Sequence, residues 1–275
     1  MTLRFAYNTN GAANHRLADA VALIADTGYD GVAITLDHHH LDPMEEGWER
    51  RAEALARDLA GRKLGCVIET GARYLLDPRA KHEPTLLTPT VEGRDRRVAF
   101  LNRAIDIGAI LGAEAVSFWA GVPRPGIDRE QARIWLRDGV SRVLDHAAER
   151  NVTAALEPEP GMLVETVDDW SALNLHGLKL ALDLGHLLVT GERDPAKAVR
   201  EFASHLGTVA IEDMARGMHI HLPFGEGDMD IPACLNALEA IGFERLVCVE
   251  LSRESHRADT MIPQSLAWLR ACRGA

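Results

Sequence analysis

The sequence predicts an α/β protein closing into a single (β/α)8 barrel, the TIM-barrel class, over residues 1–275. Three observations carry this reading. Short apolar runs of strand length alternate with helical patterns along the whole chain. Eight such pairs are in register, and strands alternating with helices argue for a parallel sheet that eight units can close. The chain has 275 residues, 47% hydrophobic and 26% charged, which suits one large domain with a sizeable core. An open doubly wound sheet is the alternative, but no Gly-x-Gly-x-x-Gly follows the first strand, which weakens its dinucleotide-binding form.

The elements follow in order. Residues 3–7 form the first strand, and 17–27 a helix with Leu17, Val21 and Ile24 on one face, stopped by Gly28. Residues 31–36 are the second strand and 48–64 an Ala/Arg-rich helix. The third strand contains Cys66–Ile68 by number 66–68, and Glu69 leaves it. Residues 97–111 read as a helix, 115–118 as the fourth strand, and 129–150 as a long amphipathic helix closed by Asn151. The fifth strand ends at Leu156, a short helix covers 167–173, and the sixth strand ends at Leu182. Helix 195–205, strand 207–211, helix 231–241, strand 246–249 and helix 262–272 complete the pattern. The long connections 77–95 and 212–230 follow strands three and seven, so in a barrel both lie on the C-terminal face, where active sites form.

Net charge is −11 and the sequence pI is about 5.5, so nucleic acid and anionic membranes are poor partners. The four cysteines form no Cys-x-x-Cys pair, which fits a reducing, cytoplasmic setting. The first residues enter a strand with no basic-then-apolar leader, and no run is long enough to span a membrane. Oligomeric state is not legible; a homo-oligomer is compatible with the chain.

Three acids stand where apolar strands leave the core: Glu157, Asp183 and Glu250. On one rim of a barrel they would form one carboxylate cluster, and clustered carboxylates repel unless protons or a cation compensate them; the pattern predicts a divalent metal. Proline after Glu157 keeps the chain extended there. Asp183 could be an ordinary helix cap, and Glu250 could pair with Arg253. Counting back by two from Glu250 puts Cys248 and Leu246 on its face, which suits the barrel interior. His219 and His221, one residue apart in an extended segment, point the same way and can chelate one ion. His186 shares the Gly-containing turn of Asp183, and Arg216 is placed to clamp a substrate oxygen. Glu69 and Trp119, at the ends of strands three and four, can line a pocket, the indole packing against a sugar face. The His38-His39-His40 run reads as solvated, with at most one ring reaching substrate.

The segments Glu157-Pro158-Glu159-Pro160, Asp183-Leu184-Gly185-His186, Gly225-Glu226-Gly227-Asp228 and Val249-Glu250-Leu251, in this order, resemble the xylose-isomerase-like TIM-barrel superfamily of sugar isomerases, epimerases, inosose dehydratases and type-2 apurinic endonucleases. The resemblance spans nearly the whole chain and implies a metal cage of Glu, Asp, His and Glu. Glu157, Asp183 and Glu250 match three of those places, while the histidine place falls on Ala210. Glu212, a loop histidine or water would have to fill it, and Glu212 is also a candidate substrate contact. The resemblance places His186 and Arg216 at substrate oxygens. In the endonuclease branch, His186, His219 and His221 would match an additional zinc site, but the histidines expected from strands three and four are replaced by Glu69 and Trp119. The resemblance thus implies an isomerase or epimerase acting on a keto sugar or polyol-derived substrate through a metal-stabilised enediolate, with Glu157 and Glu250 as the acid/base pair and Mn2+, Mg2+, Co2+ or Zn2+ as cofactor. A dehydratase-like lyase, a hydrolase built on the three histidines, and a non-catalytic sugar-binding barrel are the alternatives.

Overall fold

A computed structural model describes residues 2–272; Met1 and 273–275, the ends of the expected 1–275 domain, lie outside the described residues. The barrel strands are β1 (Arg4–Asn8), β2 (Gly31–Thr35), β3 (Gly65–Glu69), β4 (Val116–Trp119), β5 (Ala154–Glu157), β6 (Lys179–Asp183) and β7 (Leu206–Ile211). A short pair, β8 (Asp213–Ala215) and β9 (Met218–Leu222), follows, and β10 (Leu246–Val249) is the last barrel strand. All barrel pairings are parallel, in the closed order β1-β10-β7-β6-β5-β4-β3-β2. The predicted barrel is the fold.

The helices are α1 (Leu17–Thr27), α2 (Trp48–Arg62), α3 (Val91–Leu111), α4 (Arg129–Arg150), α5 (Val167–Leu173), α6 (Leu184–Thr190), α7 (Pro195–Glu201), α8 (Ile231–Ala240) and α9 (Ala258–Cys272). None is long and apolar enough to cross a membrane among the described residues. Their apolar faces bury against the outside of the barrel in one continuous cluster with the outward strand residues. A second cluster of small side chains fills the bore: Ala6, Ala33, Val67, Leu246 and Cys248. Cys248 and Leu246 therefore face inward, and so does the strand direction that leads to Glu250.

Four expectations need correction. Helix α3 begins at Val91, not Arg97, because Thr90 accepts a hydrogen bond from the Gly93 N–H at 3.2 Å and caps it. The long connection after β3 is shortened accordingly. Helix α9 starts at Ala258, one turn before residue 262, and carries Pro263 inside it. The 195–205 segment splits into α7 and a 3-10 turn, Ala203–His205. The connection after β7 is not a loop throughout, since β8 and β9 pair antiparallel as a ribbon around Gly217, whose φ is +69°.

The ribbon is tied down by two carboxylates. Asp213 accepts from the Gly225 and Met229 N–H groups at 2.8 and 3.0 Å, and Asp228 accepts from the Arg216 N–H at 3.0 Å. A Cβ on Gly227 would press into the Asp213 carboxylate and approach the Met214 carbonyl oxygen to 2.6 Å. Gly227→Ala is therefore expected to cost about 1–3 kcal/mol of overpacking, read as a lowered Tm in thermal unfolding; an unchanged Tm would show that the ribbon's anchor yields freely.

Candidate functional site

The strand ends bring the chemistry together. Glu69, Trp119, Glu157 and Asp183 end β3, β4, β5 and β6 in succession around the barrel. Trp119 pairs with Glu157, and Asp183 pairs with Ala210, which pairs with Cys248. Glu250 follows β10, its N–H donating to the Ile211 carbonyl at 3.3 Å. Above these ends opens a cavity of about 480 Å³, within the range of small-molecule sites. Glu69, Glu157, Glu159 and Glu250 line it, with His186, His219 and His221 on one side and Trp119 on another.

Each carboxylate has a distinct environment. The Asn8 amide donates to Glu69, while the Asn8 carbonyl oxygen accepts from the Thr35 hydroxyl at 2.8 Å and so fixes the amide's orientation. The Asn10 amide donates to Glu250 Oε1 at 2.8 Å. Burial pushes Glu157 well above the ordinary carboxylate range, helped by the negative charges of Glu159 and Glu250. Burial, then Glu250, does the same to Glu69. Burial also raises Glu159, although the neighbouring His186 works against it.

Asp183 caps α6: its Oδ1 accepts from the Gly185 and His186 N–H groups at 2.8 and 3.1 Å. The cap and the functional reading therefore coexist, since Oδ2 is left over. That atom and both Glu212 oxygens are buried without a hydrogen bond among the described residues, the nearest imidazole nitrogens being His186 Nε2 at 3.5 Å from Oδ2 and His221 Nδ1 at 3.9 Å from Glu212. Burial would raise Asp183, but His186 and His221 hold it below its ordinary value. Glu212 carries the opposing shift, pushed far up by burial and by the Asp183 charge. Two buried carboxylates side by side cannot both ionise, so a proton or a cation must lie between them.

The histidines converge. His186, on α6, lies with Nδ1 3.1 Å from the Pro158 carbonyl oxygen and Nε2 3.0 Å from His219 Nε2. His221 Nδ1 lies 3.2 Å from the Glu250 carbonyl oxygen. These backbone acceptors favour N–H on Nδ1 of both rings and leave Nε2 as the ligand atom. His186, His219 and His221 offer ligand atoms within 4.8 Å of one another; so do Asp183, Glu212 and His221, and Glu157, Glu159 and His186. Burial, then His186 and His221, lowers His219 to about 4, so its ring is neutral near pH 7, the form able to bind a cation. Burial would lower His186, but Asp183 and Glu159 outweigh it and hold that imidazole above its ordinary value. Orphaned buried oxygens beside imidazole nitrogens fit a divalent cation, and the mixed donor set suits a transition metal or zinc.

Two expected substrate contacts are placed elsewhere. Arg216 sits exposed beside the ribbon turn and does not line the cavity, because β8 carries it outward. Glu212 is fully buried beneath the rim, packed against Gly185 and 3.9 Å from His221, so it faces the histidines and Asp183 rather than the cavity. Ala210 borders a small hollow under the mouth with Glu69, Glu157 and Asp183. None of His38, His39 and His40 lines the cavity. The His38 ring sits on Asp37 at 2.8 Å, and His40 Nε2 lies 3.2 Å from the His15 carbonyl oxygen. Glu159 was visible in the Glu-Pro-Glu-Pro signal but went unassigned; His82, Arg73 and Lys81 also line the cavity and carried no sequence signal, and Arg253, weighed only as a partner for Glu250, lines it too.

Known proteins bear on this geometry. L-ribulose-5-phosphate 3-epimerase UlaE of Salmonella paratyphi A is 24% identical over 259 residues, covering 92% of this chain and 88% of that protein. The solved structure of an L-ribulose 3-epimerase superposes with a TM-score of 0.78 at 20% identity, covering 99% of this chain and 96% of that one. The structure of IOLI protein with a bound zinc atom superposes at 0.76 and 18% identity, covering 98% of each chain. Residues 21–272 match the model of the xylose isomerase-like TIM barrel family, and the chain belongs to that family.

Proposed function

We propose that this protein is a divalent-metal-dependent epimerase or isomerase of a keto sugar. The observation that carries the reading is that Glu157 and Glu250, rising from different strands, line one cavity whose size suits a sugar, beside a ligand set with orphaned buried oxygens. The relatives named L-ribulose-5-phosphate 3-epimerase and L-ribulose 3-epimerase support a keto sugar as substrate. The metal would be held by His186, His219 and His221, or by Asp183 and Glu212 with His221; Glu157 converges instead with Glu159 and His186, and Glu250, expected as a ligand, joins none of these groups among the described residues. When bound, it supplies Lewis-acid polarisation of a carbonyl.

The chain's own groups do the rest. Glu157, with its raised proton affinity, is matched to removing a proton from the carbon beside the carbonyl. The electron pair of that C–H bond moves into the carbonyl, giving an enediolate. Glu250, held by the Asn10 amide, returns a proton. Delivery to the opposite face of the same carbon inverts it; delivery to the neighbouring carbon converts ketose to aldose. Trp119, stacked under the Arg97 guanidinium at 4.4 Å, presents a ring face for the sugar's C–H surface.

The test is incubation with a ketopentose in D2O after loading with Mn2+ or Co2+. Deuterium at the carbon next to the carbonyl, together with the epimer or aldose, is expected. No deuterium incorporation across the ketopentoses and ketohexoses would sink the proton-transfer mechanism. The convergence of three imidazoles favours one second reading, a zinc hydrolase; phosphoester cleavage by the zinc-loaded protein without deuterium incorporation would select it.

A further inference from the structure

The cavity is lined by two opposed sets of charge. Its floor is acidic, with Glu69, Glu157, Glu159 and Glu250. Yet Arg73, Lys81 and Arg253 also line it, on a chain of net charge −11. Arg73 stands four residues beyond the end of β3 and Arg253 three beyond Glu250; Lys81 and Arg253 are exposed while Glu69, Glu157, Glu159 and Glu250 are half-buried, so the cations sit outward of the carboxylates. Several arginines elsewhere on the surface are paired with carboxylates, as in Arg51 with Glu45, Arg142 with Asp95 and Arg193 with Glu201, although others, such as Arg216, have no such partner among the described residues. Arg73, Lys81 and Arg253 have no ion pair or side-chain hydrogen bond among the described residues.

The backbone holds two of them together. The His82 N–H donates to the Arg73 carbonyl at 2.5 Å, and His82 Nδ1 lies 2.7 Å from the Gly71 carbonyl oxygen. Ala72, just before Arg73, and His82, just after Lys81, both take left-handed φ values, 50° and 67°. Non-glycine residues persist there only where the surrounding structure fixes them, and such positions cluster at ligand clamps.

We infer that Arg73 and Lys81, with Arg253 across the mouth, form a subsite for an anionic group, a phosphate ester or a carboxylate, at the end of the sugar remote from the reacting carbon. This deepens the keto-sugar reading and rests on it for the identity of the rest of the ligand. The acidic floor repels an anion, and the rim attracts one. A substrate charged at one end therefore enters with its neutral carbonyl end toward Glu157 and Glu250. Guanidinium and ammonium groups donate charge-assisted hydrogen bonds to such oxygens.

The test is equilibrium binding of ribitol 5-phosphate, ribonate and ribitol, none of which has the ketone needed for turnover. The comparison is wild type against Arg73→Ala, Lys81→Ala and the double variant, with Arg253→Ala in parallel. Wild type is expected to bind ribitol 5-phosphate or ribonate at least about tenfold more tightly than ribitol, with a preference that weakens in salt. Whichever anion is preferred names the group. The double variant is expected to lose most of that preference while binding ribitol as before. Equal binding of all three ligands by wild type, or an undiminished preference in the double variant, would overturn the inference. Unaltered circular dichroism of these loop variants guards against a folding artefact. Absence of deuterium incorporation with a persisting anion preference would refute the reaction and leave the subsite standing.

Discussion

Glu157→Gln and Glu250→Gln are each expected to abolish solvent-proton exchange at the substrate carbon, lowering the rate by about 10²–10⁴-fold or more, with the barrel intact. Gln keeps the shape of the side chain and removes the titrating oxygen. The two variants differ in a second observable. Glu157 is half-buried at the cavity floor with Glu159 and Glu250 nearby, and its proton affinity is raised, first by desolvation. A carboxyl that binds its proton more tightly when folded loses stability for the protein as pH rises past its ordinary value of 4.5. Without metal, Glu157→Gln should therefore be at least as stable as wild type at neutral pH, and the gain should vanish in acid. A variant that folds and still exchanges protons at the wild-type rate would remove Glu157 from the chemistry. The same outcome at Glu250 would remove that partner, whose Oε1 is already engaged by Asn10 at 2.8 Å.

The second large effect is on metal content. The double variant His219→Ala/His221→Ala is expected to lower affinity for Zn2+ or Co2+ by at least about 100-fold, read by metal analysis after dialysis against a chelator. Both rings lie on β9 and face His186, so their loss leaves only one imidazole beside Asp183. The pH dependence has a definite sign. His219 already sits neutral, its pKa about 4 through burial and then the neighbouring His186 and His221, so it holds no proton to displace near pH 7. His186 is held up, so binding there releases a proton and affinity falls as pH drops. Unchanged metal content in the double variant would take the β9 histidines out of the metal site and leave the ion to the strand-end carboxylates and His186.

The barrel was legible because its strands are short apolar runs and its helices carry plain stops. Helices α1, α4 and α5 match their expected limits, with Gly28, Asn151 and Asn174 in left-handed caps at their ends. The inward direction of Glu250 was legible from strand alternation alone. Helix α6 was less so: Gly185 near its start reads as a turn, and only the fold shows that a Cβ there would collide with Glu212 and come within 2.8 Å of Met214. The β8–β9 ribbon was missed because polar residues and glycines surround it, although Met218-His219-Ile220-His221-Leu222 alternates as a strand does. Glu212 was misjudged as a substrate contact because its burial depends on α6 packing over it. Arg216 was misjudged because a hairpin turn aims its residue by geometry that no periodicity records. The cavity-lining His82 and Arg253 belong to irregular segments, where position in space does not follow from spacing in sequence.

The ribbon has a consequence for where the fold opens first. A lone pair of short strands is marginal in water, and this pair takes no part in the barrel sheet. Its order is borrowed through Asp213 and Asp228 from the 225–229 segment and through Glu212 and Met214 from the packing against α6. Two of the three converging imidazoles thus ride on the piece of chain with the least stability of its own, and the third on the finished wall. Local opening at the mouth is therefore expected to cost less than unfolding of the barrel, and backbone amides of Met218–Leu222 should exchange with solvent ahead of those in the barrel strands.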